Sequence, residues 1–166
     1  MKIDRATVVA IGANLALEGA SVQDVLERAL ARLPDEGLRV LRRSRWWRSA
    51  AWPDPAQPAY LNGVALVGTD LGPREVLAAL LRVEAAFGRR RDEANAARTL
   101  DLDLIAHGRT VMDEPGLVLP HPRAGDRRFV MGPLAEIAPD WVHPVTGETA
   151  ETLARSATVG ADAKPG

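Results

Sequence analysis

Asp101 and Asp103 stand two apart in the run RTLDLD, residues 98–103. Successive side chains of a strand point to opposite faces. The two carboxylates therefore share one face, and Leu100, Leu102 and Leu104 take the other. Two residues along a strand span roughly 7 Å, a spacing that suits two acids gripping a common cluster of hard cations. Arg89, Arg90, Arg91 and Arg98 lie just upstream, in GRRRDEANAAR. Mg²⁺ favours a few carboxylates plus phosphate oxygens, and guanidinium forks match phosphate geometry. That combination is what a nucleoside-triphosphate site needs. A half-exposed edge strand with leucines inward shows the same alternation, so spacing alone leaves both readings open.

Other candidates surround this pair. His121 lies between Pro120 and Pro122, whose rings hold the backbone and fix the imidazole at one spot, where it could meet a phosphate. Arg123, Arg127 and Arg128 follow it. Aromatic residues are only 4% of the chain, so Tyr60 and Phe129 stand out as rings on which a flat heterocycle could stack. Core packing is the competing use. Asn62 shares a strand face with Tyr60 and could offer its amide to a heterocycle edge. Trp46, Trp47 and Trp52 border a proline-rich segment and are expected to line or cover a pocket. Gly12 follows the first apolar run and reads as a strand-to-helix turn. His107 reads as a surface turn residue, and His143 receives no role. The histidines lack zinc-ligand spacing.

The chain has 166 residues, 46% hydrophobic and 26% charged, with a net charge of −1. That is one domain with a real core, and no generic polyanion binder. Phosphate affinity must then come from a local basic patch. With no cysteine, disulfide scaffolds and thiolate metal sites are excluded. No secretory signal or membrane span is legible, so a cytoplasmic, monomeric protein without membrane or nucleic-acid partners is expected.

These residues need a frame. Thr7–Ile11 reads as a strand. Ser21 caps a helix carrying Val22, Val25, Leu26, Ala29, Leu30 and Leu33, closed by Pro34. Leu38–Trp47 is a second extended stretch, rich in arginine. Ser49–Ala59 is a proline-rich loop and Tyr60–Val67 a strand. Pro73 starts a helix with Val76, Leu77, Leu80, Val83 and Phe87 on its apolar face. Gly88–Ala97 is polar and expected to be mobile. Leu100–Ala106 is the next strand, and a short one follows near Val111. A short helix is expected near Thr149–Ala154. The fold class is α+β: a βαββαβ order, the split pattern of ferredoxin-like folds, with a mostly antiparallel sheet and an extra C-terminal helical segment. Both helices sit on one face, which leaves the other free for a site. One domain covers residues 1–156, and residues 157–166 are expected to fray.

Taken together, AIGANL, YLNGVAL, EAAFGRRR, RTLDLDLIAHG and LPHPRAGDRRFVMGPLAEIAP resemble the 6-hydroxymethyl-7,8-dihydropterin pyrophosphokinase family over residues 7–145. RTLDLD followed by the Pro-His pair is the specific part of the resemblance. It implies a ferredoxin-like enzyme of folate biosynthesis that moves a pyrophosphoryl group from ATP to the pterin's hydroxymethyl group, releasing AMP. It implies that Asp101 and Asp103 hold two Mg²⁺ ions. Arg89, Arg91 and Arg98 would contact phosphates, joined by His121 and Arg127. Arg89 and Arg91, with the two aspartates, would be catalytic. Asn62 would read the pterin edge, Tyr60 and Phe129 would sandwich its ring, and Ser49 and Trp52 would lie in a loop closing over it. The chain departs from the family pattern at Ala13, where serine is frequent. It also departs at Asn95, in the place of a tryptophan of some relatives, and at Arg128, where a smaller residue is common. A single-stranded RNA platform, with Tyr60 and Phe129 as stacking rings, is the alternative from another class.

Overall fold

The computed structural model describes residues 3–14, 21–50, 56, 58–88 and 100–166. β1 (Thr7–Ala13) is buried along its whole length, as expected for a central strand packed on both faces. α1 (Val22–Arg32) starts at a reciprocal cap: Ser21 Oγ accepts the Asp24 N–H at 3.1 Å, and the Asp24 carboxylate accepts the Ser21 N–H at 3.3 Å. The sheet continues with β2 (Arg39–Arg43), β3 (Trp47–Ser49) and β4 (Tyr60–Gly68). α2 (Pro73–Ala86) has its proline in the first turn, and β5 (Asp101–His107) follows.

The strands order as β5-β1-β4-β3, with β2 also on β4, and all these pairings are antiparallel. Each helix crosses over one strand. α1 links β1 to β2, which flank β4, and α2 links β4 to β5, which flank β1. Val9, Ile11, Ala65, Val67, Leu102 and Leu104 form one core with α1 and α2. The expectation of both helices on one face is met.

The opposite face is not free, as the sequence had suggested. Val8, Ala10, Val64, Leu66 and Ile105 pack there against α3 (Arg128–Ile137) and α4 (Ala150–Ser156). α3 escapes a sequence reading because Gly132 and Pro133 sit inside it. A proline in a helix interior removes one backbone bond and costs about 3 kcal/mol. Burial of the segment from Val130 to Leu134 offsets that here.

The expected single stretch Leu38–Trp47 is two strands. Ser44 interrupts it by substituting its hydroxyl for the ladder: Oγ accepts the Val64 N–H at 3.0 Å and donates to the Arg45 carbonyl at 2.7 Å. Such local side-chain bonds compete with regular pairing. Beyond β5, β6 (Met112–Glu114) and β7 (Leu117–Leu119) form a separate hairpin, of which the sequence showed only the first strand. α4 begins at Thr149, whose Oγ1 accepts the Thr152 N–H at 3.2 Å.

The last residues, expected to fray, are placed against the sheet. β8 (Lys164–Pro165) pairs with β3, and Ala163 is 2% exposed. Trp46 and Trp47 are largely buried, and Trp47 also borders a surface cavity with Arg45, Arg128 and Gly132. Each is 8% exposed, and they serve opposite faces of the sheet. Trp46 lies over Gly63 and donates its indole N–H to Glu27 at 2.9 Å. Trp47 lies over Gly132 and donates to Glu136 at 2.9 Å.

The Trp47–Gly132 contact fixes how closely α3 approaches the sheet. A Cβ on Gly132 would stand 2.5 Å from the Trp47 ring. Alanine gains roughly 1 kcal/mol of helix propensity over glycine, whereas overpacking costs about 1–3 kcal/mol. The ring is pinned by its bond to Glu136, so the clash should win. Gly132→Ala is expected to destabilise the protein by about 1–2 kcal/mol in urea unfolding. Equal or greater stability would show that the ring yields.

Candidate active site

The registers set distant residues in rows. Gly12 on β1 pairs with Asp101 on β5 and with Asn62 on β4, and Asn62 pairs with Trp47 on β3. One step to either side, Ser49 pairs with Tyr60, and Ala10 lies between Asp103 and Val64. Paired residues share a face, as do alternate residues along a strand. Asp101, Asp103, Asn62, Tyr60 and Ser49 therefore all belong to the face that carries α3. The four larger ones are half-buried, and Ser49 is 6% exposed.

Gly12 is not the turn residue that the sequence suggested, because β1 runs on through it. Its value is space. A Cβ there would stand 2.2 Å from Asn62 Oδ1, so the amide of Asn62 lies across Gly12, toward the strand of the aspartates.

β5 is the last strand on its side among the described residues. Its outward N–H at Leu102, between the two aspartates, is not left to solvent. Glu84 of α2, 2% exposed, accepts it at 2.7 Å. The sequence reading missed Glu84. The signal was an acid on the apolar stripe, four and eight residues on from Leu80 and Val76.

His121 is tied to the same strand by its backbone N–H, which donates to the Ile105 carbonyl at 2.8 Å. Its Nδ1 accepts the Arg123 N–H at 3.2 Å. The neutral ring then carries its proton on Nε2, where it is a donor. Burial lowers the His121 pKa below 6.5; Arg127 and Arg123 lower it further, and Asp101 opposes them. His121, Asp101 and Arg127 thus share one electrostatic environment. The Arg127 guanidinium carbon lies 5.7 Å from the Phe129 ring centroid, which joins that aromatic to the group.

The remaining histidines are structural. His143 Nδ1 accepts the N–H groups of Val145 and Thr146, each at 3.2 Å. His107, read as a surface residue, is half-buried with Nε2 2.8 Å from the Leu71 carbonyl oxygen. Trp52, Arg89, Arg91 and Arg98, with Arg90 and Asn95, lie outside the described residues, as does most of both expected loops. Among the described residues no group of three or more acids and histidines could hold a metal ion. Asp101 and Asp103 remain as a pair. A pair suits Mg²⁺, which keeps waters and substrate oxygens in its shell.

The family model for 7,8-dihydro-6-hydroxymethylpterin-pyrophosphokinase (HPPK) matches residues 8–139. The chain belongs to this family. A 2-amino-4-hydroxy-6-hydroxymethyldihydropteridine pyrophosphokinase from Synechocystis is 46% identical over 143 residues, 86% of this chain and 71% of that protein. Its namesake from Pseudomonas aeruginosa is 38% identical over 158 residues, 95% of this chain and 96% of that one. A crystal structure of a Plasmodium falciparum HPPK-DHPS triple mutant shares the fold, with a TM-score of 0.71 at 12% identity, over 90% of this chain and 44% of that chain. The HPPK match takes in every described site residue from Gly12 to Phe129. No helix among the described residues is long and apolar enough to cross a membrane.

The lowered pKa of His121 has a sign. The unfolded ring takes up a proton near 6.5, and the folded ring resists it to lower pH. In between, the unfolded chain holds more protons, so stability falls as pH drops below 6.5. His143, also lowered by burial, adds to the same slope. Urea unfolding in steps from about pH 7 to about pH 5 should show this loss, and His121→Gln should make the slope shallower. An unchanged slope in that variant would mean that His121 protonates freely in the folded protein.

Proposed function

We propose that this HPPK-family chain transfers the pyrophosphoryl group of ATP to the hydroxymethyl oxygen of 6-hydroxymethyl-7,8-dihydropterin, releasing AMP, for folate synthesis. The carrying observation is the row Asp101–Gly12–Asn62. It puts acids fit for a metal-bound polyphosphate and an amide fit for a heterocycle on one face, two strands apart. That is roughly 10 Å, a separation that accommodates a bicyclic ring and its one-carbon arm.

Asn62 would pair with the pterin edge through an amide whose position Gly12 permits. Tyr60 and Phe129 would stack on the ring, and Ser49 would border it. Asp101 and Asp103 would hold Mg²⁺, which when bound neutralises charge on the phosphate oxygens. His121 would donate from Nε2 to a phosphate oxygen, and Arg127 would add a fixed positive charge. Arg89, Arg91, Arg98 and Trp52 keep the roles implied by the family resemblance, three on phosphates and one over the pterin. The substrate hydroxyl forms a bond to the β-phosphorus, the bond from that phosphorus to the oxygen of AMP breaks, and the hydroxyl proton leaves. The protein's share is alignment and charge stabilisation.

The antiparallel order β5-β1-β4 with β2 and β3, two crossing helices on one face, is what a ferredoxin-like core requires, and we read it as one. Family membership displaces the RNA-platform alternative.

Asp101→Asn and Asp103→Asn should each nearly abolish AMP release from ATP and the reduced hydroxymethylpterin. Losing one ligand of a metal clamp removes several kcal/mol of transition-state stabilisation. Near-normal turnover at saturating Mg²⁺ in either variant would remove the metal assignment. Phe129→Ala should weaken pterin binding by about 1–3 kcal/mol and leave binding of a non-hydrolysable ATP analogue unchanged, as judged by separate titrations. Equal losses for both ligands would make Phe129 a packing residue only.

A further inference from the structure

The C-terminal residues run between the segment that leads into α3 and the end of β3. They leave α4 and reach the start of α3, where Asp126 accepts two bonds from Thr158, at 2.9 Å from its N–H and 2.8 Å from its hydroxyl. The Arg128 N–H donates to the Val159 carbonyl at 2.9 Å. Gly160 follows with φ +68°, and a Cβ there would stand 2.6 Å from Cδ1 of Phe129. The tail thus seats the Phe129 ring directly. Two residues on, the carboxylate of Asp162 accepts the Ala50 N–H at 2.8 Å. Ala50 follows Ser49, which is paired with Tyr60. The chain between Gly160 and Asp162 spans at most roughly 7 Å, so one short strut joins Phe129 to the strand end that carries Ser49 and Tyr60.

Arg128, one of the family departures, secures this strut. Its side chain donates to the carbonyls of Ala163 at 3.0 Å and Ala154 at 3.1 Å, and its guanidinium carbon lies 5.8 Å from the Trp47 ring centroid. The strut lies beyond residue 139, where the family match ends.

We propose that the C-terminal tail, residues 157–166, is a positioning element of the pterin site, setting the separation between Phe129 and the Ser49–Tyr60 pair. This rests on the pterin-binding reading of those residues. The tail itself touches no reacting atom. It acts by holding the two walls, so its loss should appear in pterin affinity and not in ATP affinity.

Asp162→Ala removes the acceptor for the Ala50 N–H, and Asp162→Asn keeps an oxygen in the same place. With a non-hydrolysable ATP analogue saturating, 6-hydroxymethylpterin is titrated by its fluorescence; the ATP analogue and the melting temperature are measured separately. Asp162→Ala should weaken pterin about fivefold, the worth of one such hydrogen bond, with the analogue's affinity unchanged. Asp162→Asn should restore most of the loss. Gly160→Ala, which drives a methyl group at the Phe129 ring, should weaken pterin in the same selective way. Pterin affinity indifferent to Asp162→Ala overturns the proposal, and so does a parallel loss of both ligands with a lowered melting temperature. A complete failure of the unsubstituted protein to bind pterin would instead overturn the site reading beneath it.

Discussion

The register of β1 against its two neighbours is the constraint on which the site depends. Gly12 pairs with Asp101 on one side and Asn62 on the other. A slip by one residue in either pairing would turn a whole row to the opposite face. The aspartates would then enter the α1–α2 core and the leucines would face the site. Burial forbids it: Val9 and Ile11 pack on one side of β1 and Val8 and Ala10 on the other, all at least nine-tenths buried. The cost of exposing such side chains, about 1.5–3 kcal/mol for each large one, holds the register. Hydrophobic packing thus specifies where the acids point, although it touches none of them.

The same logic explains Glu84. An acid nine-tenths buried or more carries a large desolvation cost unless its oxygens are bonded. Here the cost meets a need. Without an acceptor, the outward N–H of Leu102 would leave the strand free to shift between its two aspartates. Glu84 reaches across from α2, so the helix that packs the core also fixes the backbone from which Asp101 and Asp103 project. Core and site are joined by one hydrogen bond.

Much of the frame was legible because local signals and burial agreed. Ser21, Pro73 and the leucine–aspartate alternation each mark an element that the fold keeps. The misses share a cause, which is that tertiary contacts overrode local chemistry. Pro133 and Gly132 look like helix breakers, yet Gly132 is what lets α3 lie on Trp47. Gly12 looks like a turn, yet it makes room for Asn62 from a neighbouring strand. Small, polar-leaning residues after Ala157 look frayed, yet their backbone is gripped by Asp126, Arg128 and β3. No periodicity in one segment can report a partner that lies in another. Asp101 with Asp103, and Tyr60 with Asn62, could be assigned to shared faces from alternation; that the two pairs and Ser49, read as a loop residue, meet on one face came only with the strand registers. The convergence of His121 and Arg127 on them could not, because it depends on the path of the chain after β7.

The arginines show why a count of charges is a poor guide to what a surface binds. The extended stretch around β2 is rich in them. In the fold Arg42, Arg43 and Arg45 are occupied within the molecule. Arg43 pairs with Glu27 at 2.6 Å, Arg45 with Glu136 at 3.3 Å, and Arg42 donates to the Ile137 carbonyl at 2.9 Å. Exposed pairs of this kind contribute about 0–1 kcal/mol to stability, so their main effect is to cancel field. Arg128 is likewise turned to backbone carbonyls of α4 and the tail. Arg127 differs: it stands beside the half-buried His121, whose pKa Arg127 lowers and Asp101 raises, and partly buried charges are screened less by solvent. A phosphate chain brought there by the two aspartates and their metal meets concentrated positive charge, while the protein as a whole stays near neutrality.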